Sequence, residues 1–339
     1  MNMRILTFNC WHGLDGAGIW RMGELESREH HRHRLQRQLT DLAQSQNDLL
    51  FLQEVNPIQA RAFEIGRYLK FNFVEQGDLS GVKIFGWGPP LNLNSGLCLL
   101  ARPTWQLQKV RGLQLSGPPW GVSFRHLALQ TSECRFALLA SLVHPQLGRL
   151  LVVNTHLHHG IETHPELCHD IEELARTGQI TSGERDTVLK QMEHARERRL
   201  SEIQRLLAAI ADRRANFAGV IIAGDFNSDE TSPTIQSMKA SGFVDVLAGR
   251  PQALTWNPQR NVANFRLSQT FQLPLSDFGK PPLRQVIYDH MYRPRRLDYI
   301  FVDAALAGLM KQVNLFGDQG PPEQMTSDHF GLQVELGSH

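Results

Sequence analysis

No apolar run in this 339-residue chain reaches the roughly 18 residues a membrane-spanning helix needs, which excludes a transmembrane segment from the sequence-based expectations. Cysteine is equally sparse. Cys10, Cys98, Cys134 and Cys168 stand far apart with no C-x-x-C pair, which excludes a cysteine-rich zinc site and a dense disulfide framework. Neither sign of charge dominates: 35 Lys plus Arg stand against 34 Asp plus Glu. No overall positive field therefore marks a nucleic-acid binder, although a local basic face stays open. The N-terminus runs from Met1 straight into "MRILTFNCW", without the charged start, apolar core and small-residue cleavage site of a signal peptide. The expectation is a reduced, cytoplasmic chain. Repeats, low-complexity tracts and a convincing linker are absent too, so residues 1–339 are expected to form one domain.

What the chain does contain is a succession of short apolar runs: "RILTFNC", "LLFLQEV", "GLCLLA", "FALLASLV", "LLVVNTHL", "GVIIAGDF", "LDYIFV" and "FGLQVEL". Their length suits strands buried on one or both faces. Helical patterns lie between them. Leu35, Leu39 and Leu42 recur at three- and four-residue steps, as do Leu200, Ile203, Leu207 and Ile210. "SPTIQSMKASGF" opens with a capping Ser and a first-turn Pro and closes at Gly242. Alternating strands and helices give an α/β fold. Two Gly- and Pro-rich loops carry Trp87 and Trp120. These tryptophans either pin their own loops or form a substrate rim or a membrane-touching edge.

The runs end in polar residues. Asn9 closes the first and Gln53 and Glu54 the second, while Asn154 and His156 follow "LLVV" two residues apart and so face one side. Asp225 and Asn227 follow "VIIAG", with Phe226 turned the other way to pack. Asp298 begins "DYIFV", and Asp328 and His329 precede the last run. Carboxylates, amides and imidazoles at six strand ends suit one hard cation and one phosphoester. Mg²⁺ prefers carboxylate, amide and water oxygens and keeps positions open for phosphate. Phosphoester hydrolysis needs neutralised phosphate oxygens, an in-line deprotonated water and help for the departing oxyanion. An Asp beside a His orients that imidazole as a base.

The ordered set "FNCW", "LQEV", "NTHL", "GDFN", "RLDYIF" and "SDH", over residues 8 to 329, resembles the endonuclease/exonuclease/phosphatase superfamily. That group includes pancreatic-type deoxyribonucleases, abasic-site endonucleases, inositol polyphosphate 5-phosphatases, deadenylases and neutral sphingomyelinases. The resemblance implies a four-layer α/β sandwich, with two mixed β-sheets face to face flanked by helices and a Mg²⁺ site, Mn²⁺ being the second candidate. It makes Glu54 the principal metal ligand, with Asn9 beside it on metal or phosphate and Asp328 near the metal. It gives Asp225 the attacking water and Asn227 a phosphate oxygen. His156 would donate to the scissile phosphate or leaving group. Asp298 would pair with His329, the general base or a phosphate-polarising imidazolium.

One departure is the stretch from His159 to His194, which intervenes before the helix carrying Arg196, a phosphate-binding candidate. Arg199 stands where relatives usually have Gln. The stretch reads as a lid, a substrate wall or a solvated helical excursion. Its His164, His169 and His194 lack the tight spacing of a second metal site. "EHHRHR" at residues 29–34 reads as a solvated helix start, with phosphate contact as the alternative. "LTWNPQRN" resembles an element of bacterial sphingomyelinases, which leans the substrate toward a lipid headgroup or small phosphodiester reached by peripheral membrane contact. Arg196, Arg198, Arg199 and Arg205 keep a nucleic acid open as the alternative. A phosphomonoester comes third, and a non-catalytic binding module is disfavoured because Glu54, Asp225, Asn227 and His329 are all present.

Overall fold

The computed structural model describes residues 2–12, 28–78, 81–84, 95–117, 122–124, 127–130, 134–250, 253–261, 281–321 and 324–337. Trp87 and Trp120 lie outside them, so their two alternative roles stay as the sequence left them. The strands are β1 (Met3–Asn9), β2 (Leu49–Val55), β3 (Asn72–Gly77), β4 (Gly81–Ile84), β5 (Gly96–Ala101), β6 (Gln108–Ser116), β7 (Val122–Phe124) and β8 (Leu127–Gln130). They continue with β9 (Arg135–His144), β10 (Gly148–His156), β11 (Gly219–Asp225), β12 (Phe243–Asp245), β13 (Asp298–Asp303), β14 (Met310–Phe316) and β15 (Gly331–Leu336). The helices are α1 (Arg28–Gln44), α2 (Ile58–Leu69), α3 (Pro165–Arg176), α4 (Ser182–Arg214), α5 (Pro233–Ala240), α6 (Pro281–Met291) and α7 (Ala304–Ala307).

Two six-stranded sheets result, in the orders β14-β15-β1-β2-β5-β3 and β12-β13-β11-β10-β9-β6, and β4, β8 and β7 make a small third sheet. Each large sheet is mixed: β1 runs parallel to β2 and β10 to β11, with antiparallel neighbours around them. Parallel neighbours need a crossover, and helices supply it, α1 between β1 and β2, α3 with α4 between β10 and β11.

Strand alternation builds the layers. Met3 and Ile5 of β1, Leu49 and Phe51 of β2, Leu150 and Val152 of β10, Ile221 and Ala223 of β11 and Ile300 and Val302 of β13 share one core between the sheets. The residues between them face outward. Leu6, Phe8, Leu50 and Leu52 pack under α1 and α2, and Leu151, Val153, Val220, Ile222 and Phe301 pack under α4 and α5. Each fully buried aliphatic side chain contributes ~1.5–3 kcal/mol, so these strands are held by apolar contact on both faces. Phe226 joins the outer cluster, against Tyr299 and Phe301.

The stretch from 159 to 194 packs more firmly than a solvated excursion would. Leu167, Ile171 and Leu174 of α3, Val188 and Met192 of α4 and Leu283 and Ile287 of α6 form an apolar cluster of their own. Helix α4 starts at Ser182, well before the expected start, because Thr181 and Glu184 form a reciprocal capping box. Beside this cluster the rings of His164 and His290 lie 5.2 Å apart. Burial, with Arg295 and His164 nearby, pushes the His290 imidazole down to about 4. An unfolded histidine titrates near ~6.5, so below that pH the unfolded chain binds a proton the folded chain refuses. Stability is full above pH ~6.5 and falls as the pH drops toward the folded value. Melting curves across that window are expected to show the loss for the wild type and a shallower one for His290→Gln; equal slopes would contradict it.

Candidate active site

The inward rows that are apolar at the centre of the sandwich turn polar at one end. In β1 the row continues through Thr7 to Asn9, in β2 to Gln53, in β10 to Asn154 and His156, in β11 to Asp225 and in β13 to Asp298. The register sets Asn154 beside Ala223, His156 beside Asp225 and Asp225 beside Asp298. Under the site lies a buried polar floor: Gln53 donates to Thr7 Oγ1 (3.2 Å) and Asn154 Oδ1 (2.7 Å), and Asn154 donates to the carbonyls of Leu52 and Cys98. It ties the two sheets together below the chemistry.

Backbone geometry then aims the acids. Glu54 sits at φ 54° where the β2–β5 register shifts, and Asn227 at φ 48°. Such values are uncommon for residues other than glycine. Gly224, at φ 152°, has no alternative: a Cβ there would meet the Thr155 carbonyl oxygen at 1.8 Å. That close approach sets Asp225 against β10. Gly224→Ala is expected to cost about 3 kcal/mol or more, the upper range for forced overpacking, read from denaturant unfolding. A loss under about 1 kcal/mol would show that the backbones separate freely.

Eight of the expected side chains converge. The Asn9 amide donates to both Glu54 Oε1 (3.1 Å) and Asp225 Oδ2 (3.0 Å). His156 Nε2 lies 3.6 Å from Asp225 Oδ2 and 3.9 Å from Glu54 Oε1. On the opposite side His329 Nε2 is 3.7 Å from the same Asp225 oxygen, and its Nδ1 is 2.8 Å from Asp298 Oδ2. Asp328 follows next door, near enough to Glu54 for their charges to interact. Asn227 closes the set: its backbone N–H donates to Asp225 Oδ1 and its amide to the Leu157 carbonyl.

Two expected contacts differ. Asn9 Oδ1 accepts from the Trp11 backbone N–H at 3.0 Å, which turns its NH₂ toward the carboxylates. An NH₂ donates and cannot ligate a cation, so Asn9 acts here as a bridge between Glu54 and Asp225 rather than as an oxygen ligand. Arg196, expected on phosphate, instead pairs with Glu193 at 2.6 Å one helical turn away on the half-exposed face of α4. Arg199, at the unusual position, is fully buried and holds Glu162 at 2.5 Å. His169 and His194 are exposed and His164 caps α3, so these three do not assemble as metal ligands.

Sequence reasoning missed His12 and Arg135. The His12 backbone N–H donates to Glu54 Oε2 at 3.0 Å, with its ring Nε2 3.4 Å from the same oxygen. It stands three residues after Asn9, just beyond the quoted "FNCW", and that proximity was the available signal. Arg135 donates to His156 Nδ1 at 2.9 Å, and nothing in "ECRFALL" announced that. The stretch that resembles a sphingomyelinase element braces the site from behind. Thr255 Oγ1 accepts from the backbone N–H groups of Leu297 and Asp298, the Trp256 ring packs edge-on to His329 at 5.1 Å, and Asn261 donates to the Ser327 carbonyl.

The electrostatics favour a divalent cation. Burial lifts Asp225 to about 7, with Asp298 adding to it against the pull of His329. Burial likewise lifts Asp328 to about 6, His329 lowering and Glu54 raising it. Burial would raise Glu54 too, but His12 and His156 outweigh it and hold that carboxyl below the usual range. His329 is raised well above the ordinary imidazole value because Asp298 and Asp225 outweigh its burial. Four crowded carboxylates, Asp225 and Asp298 buried and Glu54 and Asp328 half-buried, are a donor set that a hard cation would neutralise. Ligand atoms of Asp225, Asp298 and His329 lie within 4.8 Å of one another and could also hold an ion. We favour the Glu54 and Asp328 side, because Asp298 is already committed to His329.

Two mixed sheets stacked face to face, helices outside, and an acid–imidazole cluster at one end define a class of α/β sandwich hydrolases. The family model described as "Endonuclease/Exonuclease/phosphatase family" matches residues 6–329, and the chain belongs to that family of metal-dependent phosphoesterases. A search of curated proteins gives no match. Among solved structures, D. rerio TDP2 complexed with single-strand DNA product is similar over 99% of each chain, at 16% identity and TM-score 0.59. An endonuclease/exonuclease/phosphatase from Bacteroides vulgatus is similar over 100% of each chain, at 14% identity and TM-score 0.59. A functionally unknown conserved protein from Enterococcus faecalis V583 is similar over 99% of this chain and 100% of its own, at 17% identity and TM-score 0.56. At these identities the likeness concerns the fold. Among the described residues no helix is long and apolar enough to cross a membrane.

Proposed function

We propose that the chain is a metal-dependent phosphodiester hydrolase. The observation that carries this reading is one carboxylate oxygen, Asp225 Oδ2, that accepts from Asn9 and is flanked by the Nε2 atoms of His156 and His329 at 3.6 and 3.7 Å. Glu54 and Asp328 would hold Mg²⁺ or Mn²⁺, which when bound supplies charge neutralisation of the phosphate oxygens. Asp225, lifted to about 7, orients the attacking water and takes its proton near neutral pH. As oxygen bonds to phosphorus, the opposite phosphorus–oxygen bond breaks. His156 donates to the phosphate or the departing oxygen. His329, charged through Asp298, faces the anionic oxygens. Asn227, anchored on Leu157, offers its second amide hydrogen to the phosphate.

The lean toward a lipid headgroup rests on the "LTWNPQRN" resemblance, a stretch whose Thr255 and Trp256 contact Asp298 and His329. A second reading, a nuclease, draws on the similar D. rerio TDP2 structure with its single-strand DNA product. A panel of bis-p-nitrophenyl phosphate, p-nitrophenyl phosphate, sphingomyelin, single-stranded DNA and RNA, and abasic DNA, each with and without EDTA, separates the readings. Hydrolysis of the diester that EDTA stops and Mg²⁺ or Mn²⁺ restores is the expected result. Preference for the monoester, or indifference to EDTA, would overturn the diesterase assignment.

A further inference from the structure

Arg135 is the first residue of β9, which pairs antiparallel with β10, and it is buried to 5% exposure behind the active-site histidine. Its guanidinium makes two contacts of the same kind. Nη1 lies 2.9 Å from His156 Nδ1 and Nη2 lies 3.1 Å from His159 Nδ1. The carboxylate of Asp78 holds it in place, with Oδ2 3.5 Å from Nη1 and Oδ1 accepting from the Phe136 backbone N–H at 3.1 Å.

A guanidinium has five donors, no acceptor, and does not deprotonate in proteins. Any ring nitrogen it touches must therefore present a lone pair. That fixes the single ring proton of His156 on Nε2, the atom facing Asp225 and Glu54. His329 is set the opposite way: its Nδ1 meets a carboxylate, Asp298 Oδ2, and so carries a proton. Two imidazoles thus flank one oxygen of Asp225 with opposite partners behind them. An acid behind His329 and a base-free cation behind His156 divide the roles that the residue types alone left open.

We propose that Arg135 is a positioning residue that locks His156 as the Nε2–H tautomer, making it a hydrogen-bond donor to substrate and barring it from acting as the base. The donor role rests on the hydrolytic reading above; the tautomer does not. The decisive measurement is the long-range ¹H–¹⁵N correlation spectrum of the ¹⁵N-histidine-labelled full chain, recorded with EDTA and with Mg²⁺. His156 is expected to show a protonated Nε2 and an unprotonated Nδ1, and Arg135→Met to mix the two tautomers. An Nδ1–H pattern for His156 in the wild type would overturn the proposal.

Kinetics supply the second arm. Arg135→Met should lower kcat for the diester by about 10-fold or more, a share of the ~10² a positioned proton donor contributes, with KM little changed. Arg135→Lys, which keeps one donor and the charge opposite Asp78, should recover part of the loss. In a His156→Gln background Arg135→Met should have no further effect. An equal loss in that background would make Arg135 merely structural and sink the proposal. If Arg135→Met does not fold, the wild-type spectrum and the lysine variant still decide. If no phosphoester is hydrolysed at all, the function assignment fails while the tautomer result stands.

Discussion

His329→Ala is expected to hydrolyse a phosphodiester at least ~10²-fold more slowly than the wild type, the scale of a positioned acid–base group, and to melt at a lower temperature because the buried Asp298 carboxylate loses its partner. The imidazole is buried, and Asp298 and Asp225 raise it well above the ordinary value, so it enters the reaction charged near neutral pH. Its removal takes a cation from beside Asp225 Oδ2, the oxygen 3.7 Å from Nε2, just where negative charge collects on the phosphate. Asp298→Asn separates charge from shape: an amide oxygen can still accept from Nδ1, but the acid that sustains the imidazolium is gone. A smaller fall in kcat is expected for it, and a shift of the pH–rate profile to lower pH on its basic side. Steady-state kinetics across pH check both. If His329→Ala keeps more than a tenth of the wild-type kcat, the cation is dispensable and the catalytic role belongs to Asp225 and His156.

Most of the eight strands read from the sequence are walled in on both faces, where apolar runs are continuous, while β15 alternates, with Leu332, Val334 and Leu336 in the core and Gln333 and Glu335 on the outer face. Strands β3, β6 and β14 lie at or beside sheet edges, and their exposed or half-exposed residues break the pattern that marks a buried strand. The candidate site was legible for a related reason. A polar residue at the end of an apolar run is conspicuous, and Asn9, Glu54, His156, Asp225 and Asp298 are of that kind. Arg135 begins its run rather than ending it, and Arg-to-His contact across two strands leaves no local trace. Arg196 was read from its helix position alone, and spacing along a helix does not say which turn faces the site. Its neighbour Glu193 occupies it. The Thr255–Asn261 stretch shows another limit: its bracing of Asp298 and of the Ser327 carbonyl could not be read from the motif alone.

Glu54→Gln tests where the cation binds. The variant is nearly isosteric, and Gln Oε1 can still accept from the Asn9 amide, so the bridge to Asp225 and the fold should persist. What it loses is the charge that His12 and the amide of Asn9 help keep ionised against burial. Divalent-ion affinity should fall by at least ~10²-fold, beyond the range found when residues supporting a ligand are changed. Mn²⁺ titration calorimetry reads this directly. The Mg²⁺ concentration for half-maximal diester hydrolysis should rise in parallel. The rival arrangement, an ion among Asp225, Asp298 and His329, makes the reverse prediction, with Asp298→Asn losing affinity and Glu54→Gln keeping it. Asp298 Oδ2 already lies 2.8 Å from His329 Nδ1, so an ion there would have to displace that hydrogen bond. Glu54, by contrast, accepts among the described residues from Asn9 and His12, and can turn an oxygen to a cation without dismantling the acid–imidazole pair. Glu54→Gln binding Mn²⁺ as tightly as the wild type would place the ion on the other side of Asp225.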